Sequence, residues 1–512
     1  MTPPSRRGPE ELPPAYGALE ARFQRLSHLE GAGAVLGWDW ATMMPEGGAE
    51  TRAAQIATLE VMGHEILTDP ALAELVARAE EELASFGPWE RANLREMRRK
   101  IKRAQALPAE LVEAYTKARG RCEMRWRRAR AEDDFAGFAE AFEPLLARVR
   151  ELGAALGDAL GLSPFDALID SHEPGIKVET IDTLFDELGR FLPGFVDEVL
   201  EHQAKGPKPL PLEGTFPIEA QRALAHRLME ALGFDFDSGR LDVSEHPFCG
   251  GTPSDVRITT RYDEKNFAPA LMAVLHETGH ALFELGLPRA WLDQPVGAAP
   301  GMGLHESQSL LVEMQVCRGS EFIRFVQPLI KEAFAPHTDV SGRAWEAANL
   351  ERHYRTVARS LIRVDADEVT YPLHVMLRYR LEKAMLAGDL KVADLPGAWV
   401  EGMAEFLGIR PRTDQEGCLQ DIHWAVGLFG YFPSYTLGAV AAAQLYDAAT
   451  RDEPELPERI AQGDFRPLLE WLRKKIHGFG SFHSSAELIR AASGRPLDAA
   501  FFKAHLKKRY LT

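Results

Sequence analysis

The chain has 512 residues, 45% of them hydrophobic, and a formal charge of −17. That length and apolar content suit a globular protein of one large or two to three ordinary domains, while the acidic balance argues against nucleic acid or an anionic membrane as the main partner. No apolar run approaches the length of a membrane span, and four widely spaced cysteines (Cys122, Cys249, Cys317, Cys418) suggest neither a disulfide framework nor a zinc knuckle, so a reducing cytoplasm is the expected location.

Residues 1–14 are rich in proline and charge and read as a flexible arm, not a signal peptide. From Ala15 to about Leu160 the apolar spacing is helical almost throughout. The segment Leu36–Pro45 interrupts it, and Ala49–Met62 resumes a helix. Trp38 and Trp40 suit a core better than cofactor stacking. The basic runs Arg91–Arg103 and Lys117–Arg130 read as solvated helix faces balanced by acids such as Glu80, Glu81 and Glu82, with substrate steering as the alternative. After a polar connection over Ser163–Gly175, helices are predicted over Val178–Lys205 and Ile218–Leu232, joined by a proline-rich surface linker.

The hydrophobic period then changes. Leu241–Phe248 and Asp255–Tyr262 alternate and are rich in β-branched residues, with Cys249-Gly250-Gly251-Thr252-Pro253 between them as turn material. This predicts a small antiparallel sheet, whose edge could pair with an extended peptide.

The next stretch, Leu271–Phe283, contains His276-Glu277-Thr278-Gly279-His280, an H-E-x-x-H pattern. On a helix, residues four apart share a face, ~6 Å apart along the axis, so both imidazoles can close on one metal ion. Glu277 lies about 100° round the helix, beside the ion, where a base acting on water belongs. Asn266 as N-cap, Pro269 in the first turn, Leu271, Met272, Leu275, Leu282 and Phe283 at helical spacing, and the stop at Gly286 and Pro288 support the helix. Gly279 costs ~1 kcal/mol in mid-helix, which implies a close neighbour there.

A catalytic zinc site takes three protein ligands and keeps one position open. Glu284 sits two turns, ~12 Å, from His276 along the axis and is too far to share the ion. A second helical run, from Gly303 through Cys317, offers His305, Glu306 and Glu313, and spacing alone does not choose among them.

His276-Glu277-Thr278-Gly279-His280 followed by His305-Glu306-Ser307-Gln308 resembles the thermostable carboxypeptidase Taq family of zinc metallocarboxypeptidases. His246-Pro247-Phe248, Asp255-Val256-Arg257-Ile258-Thr259, Arg363-Val364-Asp365-Ala366-Asp367-Glu368, Gly417–Trp424 and Gly430-Tyr431-Phe432-Pro433 match further motifs of that family. So do the Trp38-Asp39 segment and Phe165–Asp170, and the resemblance spans nearly the full chain. It implies Glu306 as the third zinc ligand, cobalt as a possible substitute, a mostly helical fold with a deep groove, and commonly a homodimer. The implied activity is release of C-terminal amino acids one at a time from peptides, with broad specificity.

Within that chemistry, Glu277 is the expected general base. Tyr431 and His423, onto which the late motif maps, are the expected oxyanion donors; a structural histidine beside Trp424 is the alternative for His423. An arginine fork suits a terminal carboxylate, and the resemblance points to Arg363, although Asp365, Asp367 and Glu368 could hold it in a structural ion pair. Arg257 is the second choice, with a bridge to Asp255 as its structural alternative, and Gln420 could orient substrate or ligand. The expected architecture is mainly α, with one antiparallel sheet beside the H-E-x-x-H helix and residues 15–512 forming a single helical domain of two lobes around a groove. An endo-acting zinc oligopeptidase and a non-catalytic helical scaffold are the rival readings; the intact Glu277 argues against the second.

Overall fold

The computed structural model describes residues 6–8 and 11–512. Its residues form two compact units, each drawn from three stretches of sequence. The first takes Met1–Ala104, Pro209–Tyr354 and Gly438–Leu497; the second takes Gln105–Lys208, Arg355–Leu437 and Asp498–Thr512. Both are built from helices, and one small three-stranded sheet lies in the first. Among the described residues no helix is long and apolar enough to cross a membrane.

The predicted helices Val178–Lys205 and Ile218–Leu232 form over those residues. The first helix differs from expectation: it runs through Pro14–Thr42 without breaking at Leu36. Aromatic residues are tolerated in a helix once packed, and here Arg52 donates to both the Asp39 carboxylate (2.6 Å) and the Leu36 carbonyl (3.0 Å). The chain turns only at Pro45, where a helix would lose an N–H and meet the ring. Trp38 is buried as expected, but Trp40 is exposed and not part of the core. Of the arm expected over residues 1–14, residues 1–5, 9 and 10 lie outside the described residues. Its described part is anchored: Arg6 pairs with Glu20 (2.8 Å) and Asp293 (2.7 Å), and Arg7 with Glu90 (2.9 Å).

The sheet corrects the antiparallel expectation. Its order is β1 (Gly239–Val243), β3 (Asp255–Thr260), β2 (Cys249–Thr252), with β1 parallel and β2 antiparallel to the central β3. The glycine-rich stretch read as a turn is therefore the strand β2. Within it Gly251 adopts φ 88°, where a side chain would strike the Asp255 carbonyl at 2.1 Å, and the reversal follows at Pro253 and Ser254. Leu241, Val256 and Ile258 pack with Val274 and Ala281, so the sheet lies on one face of the H-E-x-x-H helix.

That helix spans Phe267–Gly286 and starts as predicted, with the Asn266 side chain accepting from Ala268 N–H (3.3 Å). Its other face, with Leu271, Leu275, Leu282 and Phe283, joins a large core that includes Leu304, Leu310 and Leu311 of the following helical run. Burial on both sides holds its polar residues in fixed places.

Gly279 sits where the two helical runs touch. A Cβ there would lie 2.5 Å from the Gln308 carbonyl oxygen and 2.6 Å from the Ser309 Cα. The substitution Gly279→Ala should therefore lower stability by about 1–3 kcal/mol, the usual range for overpacking against backbone, despite alanine's better helix propensity. A thermal unfolding midpoint at or above that of the parent would refute the close-packing argument.

Candidate active site

Three side chains of the first unit converge. His276 and His280 project from one face of their helix, and Glu306 comes from the helix Met302–Leu310 packed against it. One ligand atom from each lies within 4.8 Å of the others. His276 Nε2 is 3.9 Å and His280 Nε2 3.3 Å from the Glu306 carboxylate. Tetrahedral coordination with bonds of ~2.0–2.1 Å places ligand atoms about 3.3–3.5 Å apart; the His280–Glu306 separation meets this and the His276–Glu306 separation is wider, so the trio could hold a metal ion with a small inward shift of His276. Glu306 is backed by Gly438, where a side chain would come within 2.8 Å of it.

The other ring nitrogens are equally occupied. His276 Nδ1 lies 2.9 Å from Glu313, whose second oxygen accepts from Arg318 at 2.6 Å. His280 Nδ1 lies 2.6 Å from His305 Nδ1, and His305 Nε2 is 2.7 Å from Glu284. A proton on His280 Nδ1 shared with His305, and one on His305 Nε2 shared with Glu284, turns the His280 Nε2 lone pair toward Glu306. Thus His305 and Glu313, which spacing could not separate from Glu306, each stand behind a histidine. Glu313 belongs to a π-helical turn, Leu311–Cys317, a departure from the α period that sequence spacing does not reveal.

Electrostatics favour positive charge among these groups. Burial pulls the His280 imidazole down to about 4. Burial acts the same way on His276, but Glu306 and Glu313 override it and push the group up to about 10. Burial would raise Glu306, yet the histidines beside it hold it at about 2. Carboxylates outnumber Arg318, the one guanidinium hydrogen-bonded into this set among the described residues, so the centre favours a bound cation. Glu277 is 7% exposed and has no side-chain hydrogen bond among the described residues. Burial pushes its carboxyl up to about 7, in the range where a general base works.

Arg257 also belongs to the first unit. It forms a two-pronged pair with Asp255 (3.0 and 2.6 Å), and its guanidinium lies over the Trp38 ring at 4.6 Å.

The remaining predicted residues gather in the second unit. Arg363, on a short 3₁₀ turn, is 6% exposed and donates to Asp421 from Nε (3.0 Å) and Nη2 (2.8 Å) and to the Tyr371 hydroxyl from Nη1. Its partner is thus Asp421, not the acids nearer in sequence. Gln420, expected to orient substrate or ligand, is engaged at both ends of its amide. Its oxygen accepts from Arg363 N–H (2.8 Å) and Arg378 Nη2 (2.7 Å), and its nitrogen donates to the carbonyls of Leu361, Glu416 and Gly417. His423 is buried, with Nε2 3.1 Å from the Tyr435 hydroxyl and Nδ1 unpartnered. Burial, aided by Arg363 and Arg378, pulls it down to about 3, so it is neutral. The Tyr431 ring meets His172, His423 and Tyr435.

Two residues of this cluster had no predicted role. Asp421 lies within the Gly417–Trp424 motif, whose pattern gives it no role of its own. Arg378 is fully buried in the helix Tyr371–Ala387; its place just after the apolar run Val375-Met376-Leu377 was the available signal.

The sequence profile of the carboxypeptidase Taq (M32) metallopeptidase family matches residues 18–510. The chain is 40% identical over 499 residues to thermostable carboxypeptidase 1 of Thermus thermophilus, covering 95% of this chain and 97% of that one. It is 35% identical to carboxypeptidase 1 of Bacillus subtilis over 493 residues, covering 95% and 96%. Among solved structures it is similar to Trypanosoma cruzi metallocarboxypeptidase 1, with a TM-score of 0.95 and 39% identity over 98% of this chain and 100% of that one. The M32 carboxypeptidase of Deinococcus radiodurans gives a TM-score of 0.92 at 34% identity, over 98% and 100%.

Proposed function

The chain belongs to the carboxypeptidase Taq (M32) metallopeptidase family and is a metallocarboxypeptidase, and from that premise we propose a zinc enzyme that removes C-terminal residues one at a time from peptides of broad sequence. The observation that carries this reading is the convergence of His276, His280 and Glu306, each imidazole backed by a carboxylate chain. Zinc, or cobalt in its place, would be held by these three and would polarise the scissile carbonyl and acidify the attacking water.

The protein's own groups do the rest. Glu277 accepts a proton from the attacking water and delivers it to the leaving amine. Tyr431 and His423 donate to the developing oxyanion; the unpartnered Nδ1 of a neutral His423 supports its part. Arg363 takes the terminal carboxylate, with Arg257 as the second choice, and Gln420 acts by holding the Arg363 turn. We also assign a cytoplasmic location and a homodimeric state, the first from reduced cysteines in all four positions, the second from the family resemblance.

Exo-specificity is tested at Arg363. A charge-assisted contact to a carboxylate is worth about 1.5–3 kcal/mol, or roughly ten- to a hundred-fold. Arg363→Ala should lower kcat/KM on a free-carboxylate peptide by that factor and barely change hydrolysis of the same peptide amidated at its C-terminus. An equal fall on both substrates, in a folded and metal-loaded variant, would dismiss Arg363 as the anchor and move the test to Arg257. Parent enzyme that cuts the amidated peptide as well as the free one would favour the endo-acting reading.

A further inference from the structure

Arg363 does not stand alone. Its carboxylate partner, Asp421, is shared: Oδ1 accepts from Arg363, and Oδ2 accepts from Arg378 Nε at 2.5 Å. Arg378 is 0% exposed. It also donates to the His374 carbonyl (2.9 Å) and to Gln420, and lies over the Trp399 ring at 4.5 Å. The rings of Tyr371, Phe432 and Tyr435 stand within 5.1–5.8 Å of the Arg363 guanidinium. Charges in such an apolar, aromatic setting are weakly screened, so their sum matters.

The count is two guanidiniums and one carboxylate. Arginine keeps its proton even when buried, and burial would raise Asp421, but Arg363 and Arg378 hold it far below the usual carboxylate range. His374 and His423, beside the pair, are both pulled down by burial and stay neutral. Glu382, the one acid on the Arg378 helix, spends its oxygens on Trp424 Nε1 (2.8 Å) and Gly430 N–H (3.0 Å), and burial pushes its carboxyl up to about 8. Were Asp421 paired with Arg363 alone, the pair would be neutral and would attract an incoming carboxylate only weakly.

We propose that Arg378 is a positioning residue for substrate: it engages Asp421 from behind, so that Arg363 keeps one unit of positive charge for the terminal carboxylate of a peptide. Arg378 reaches the substrate only through Asp421 and Arg363. The proposal rests on Arg363 being the carboxylate anchor.

The test compares kcat/KM for a free-carboxylate peptide with that for its C-terminal amide, on folded, metal-loaded enzyme. Arg378→Gln removes one positive charge and should reduce the preference for the free carboxylate about tenfold or more, whereas Arg378→Lys, which restores the charge, should keep most of it. The double variant Arg378→Gln with Asp421→Asn removes one charge of each sign. It leaves Arg363 with a carbonyl oxygen to donate to and a net charge of one, the same net charge as the parent cluster of two guanidiniums and one carboxylate. It should regain the preference. A purely structural role for Arg378 predicts the reverse, since the double variant loses both partners. Unchanged preference in Arg378→Gln, or no preference in the double variant, overturns the proposal; if Arg378→Gln does not fold, the double variant decides alone. Arg363→Ala is run alongside. Preference retained there would refute the anchor itself, and preference lost there but kept in Arg378→Gln would refute only the charge argument.

Discussion

The substitution Glu277→Gln is expected to leave the metal content of the enzyme unchanged while kcat falls by about 10²–10⁴-fold, the usual contribution of a general base. The side chain is isosteric and lies where burial, not a hydrogen bond, sets its properties, so little of the surrounding packing should respond. Glutamine accepts no proton from water, so both the activation of water and the return of the proton to the leaving amine are lost. Metal analysis and steady-state kinetics on the same preparation check this. Turnover within a few-fold of the parent would remove Glu277 from the mechanism.

Glu306→Ala should act on the other quantity. With the carboxylate gone, His276 and His280 offer two nitrogens on one helix face, and nothing closes the third corner. Loss of an outer partner of a metal ligand typically weakens affinity about 10–100-fold; loss of a ligand itself should exceed that, and activity should vanish with the metal. Competition with a chelator measures the affinity, and circular dichroism checks the fold. The change keeps Cβ, so the contact with Gly438 survives and the helix packing should hold. A fully occupied site in this variant would mean that His305 or Glu313 had been the ligand.

Those two rivals explain why the sequence could not choose. His305, Glu306 and Glu313 all approach the same pair of imidazoles, at Nδ1 or Nε2, and helical spacing cannot say which nitrogen a side chain meets. The H-E-x-x-H helix was legible because several local signals agree: an Asn266 cap, helical apolar spacing, a glycine stop, and a mid-helix glycine that only a close neighbour explains. The sheet was legible in position but not in pairing, since β1 finds its partner across an intervening strand and β2 is mostly glycine and small residues. The Arg363 cluster was half legible. Acids close in sequence competed as partners on paper, whereas in space Asp421, 58 residues away, takes that place, and no local pattern reports a second arginine on its far oxygen.

The interleaving of the two units has a consequence for how the protein is made. The histidines and Glu306 lie in the middle stretch of the first unit, but the glycine against which Glu306 packs belongs to the last, Gly438–Leu497. About 130 residues separate Glu306 from Gly438. At synthesis rates of roughly 5–20 residues per second, this leaves an interval of about 7–26 s in which all three proposed ligands have been made but the wall behind one of them has not. Through that interval the carboxylate is free to turn away from the imidazoles. The packing that holds Glu306, the third proposed ligand, is therefore the last part of the proposed site to be made.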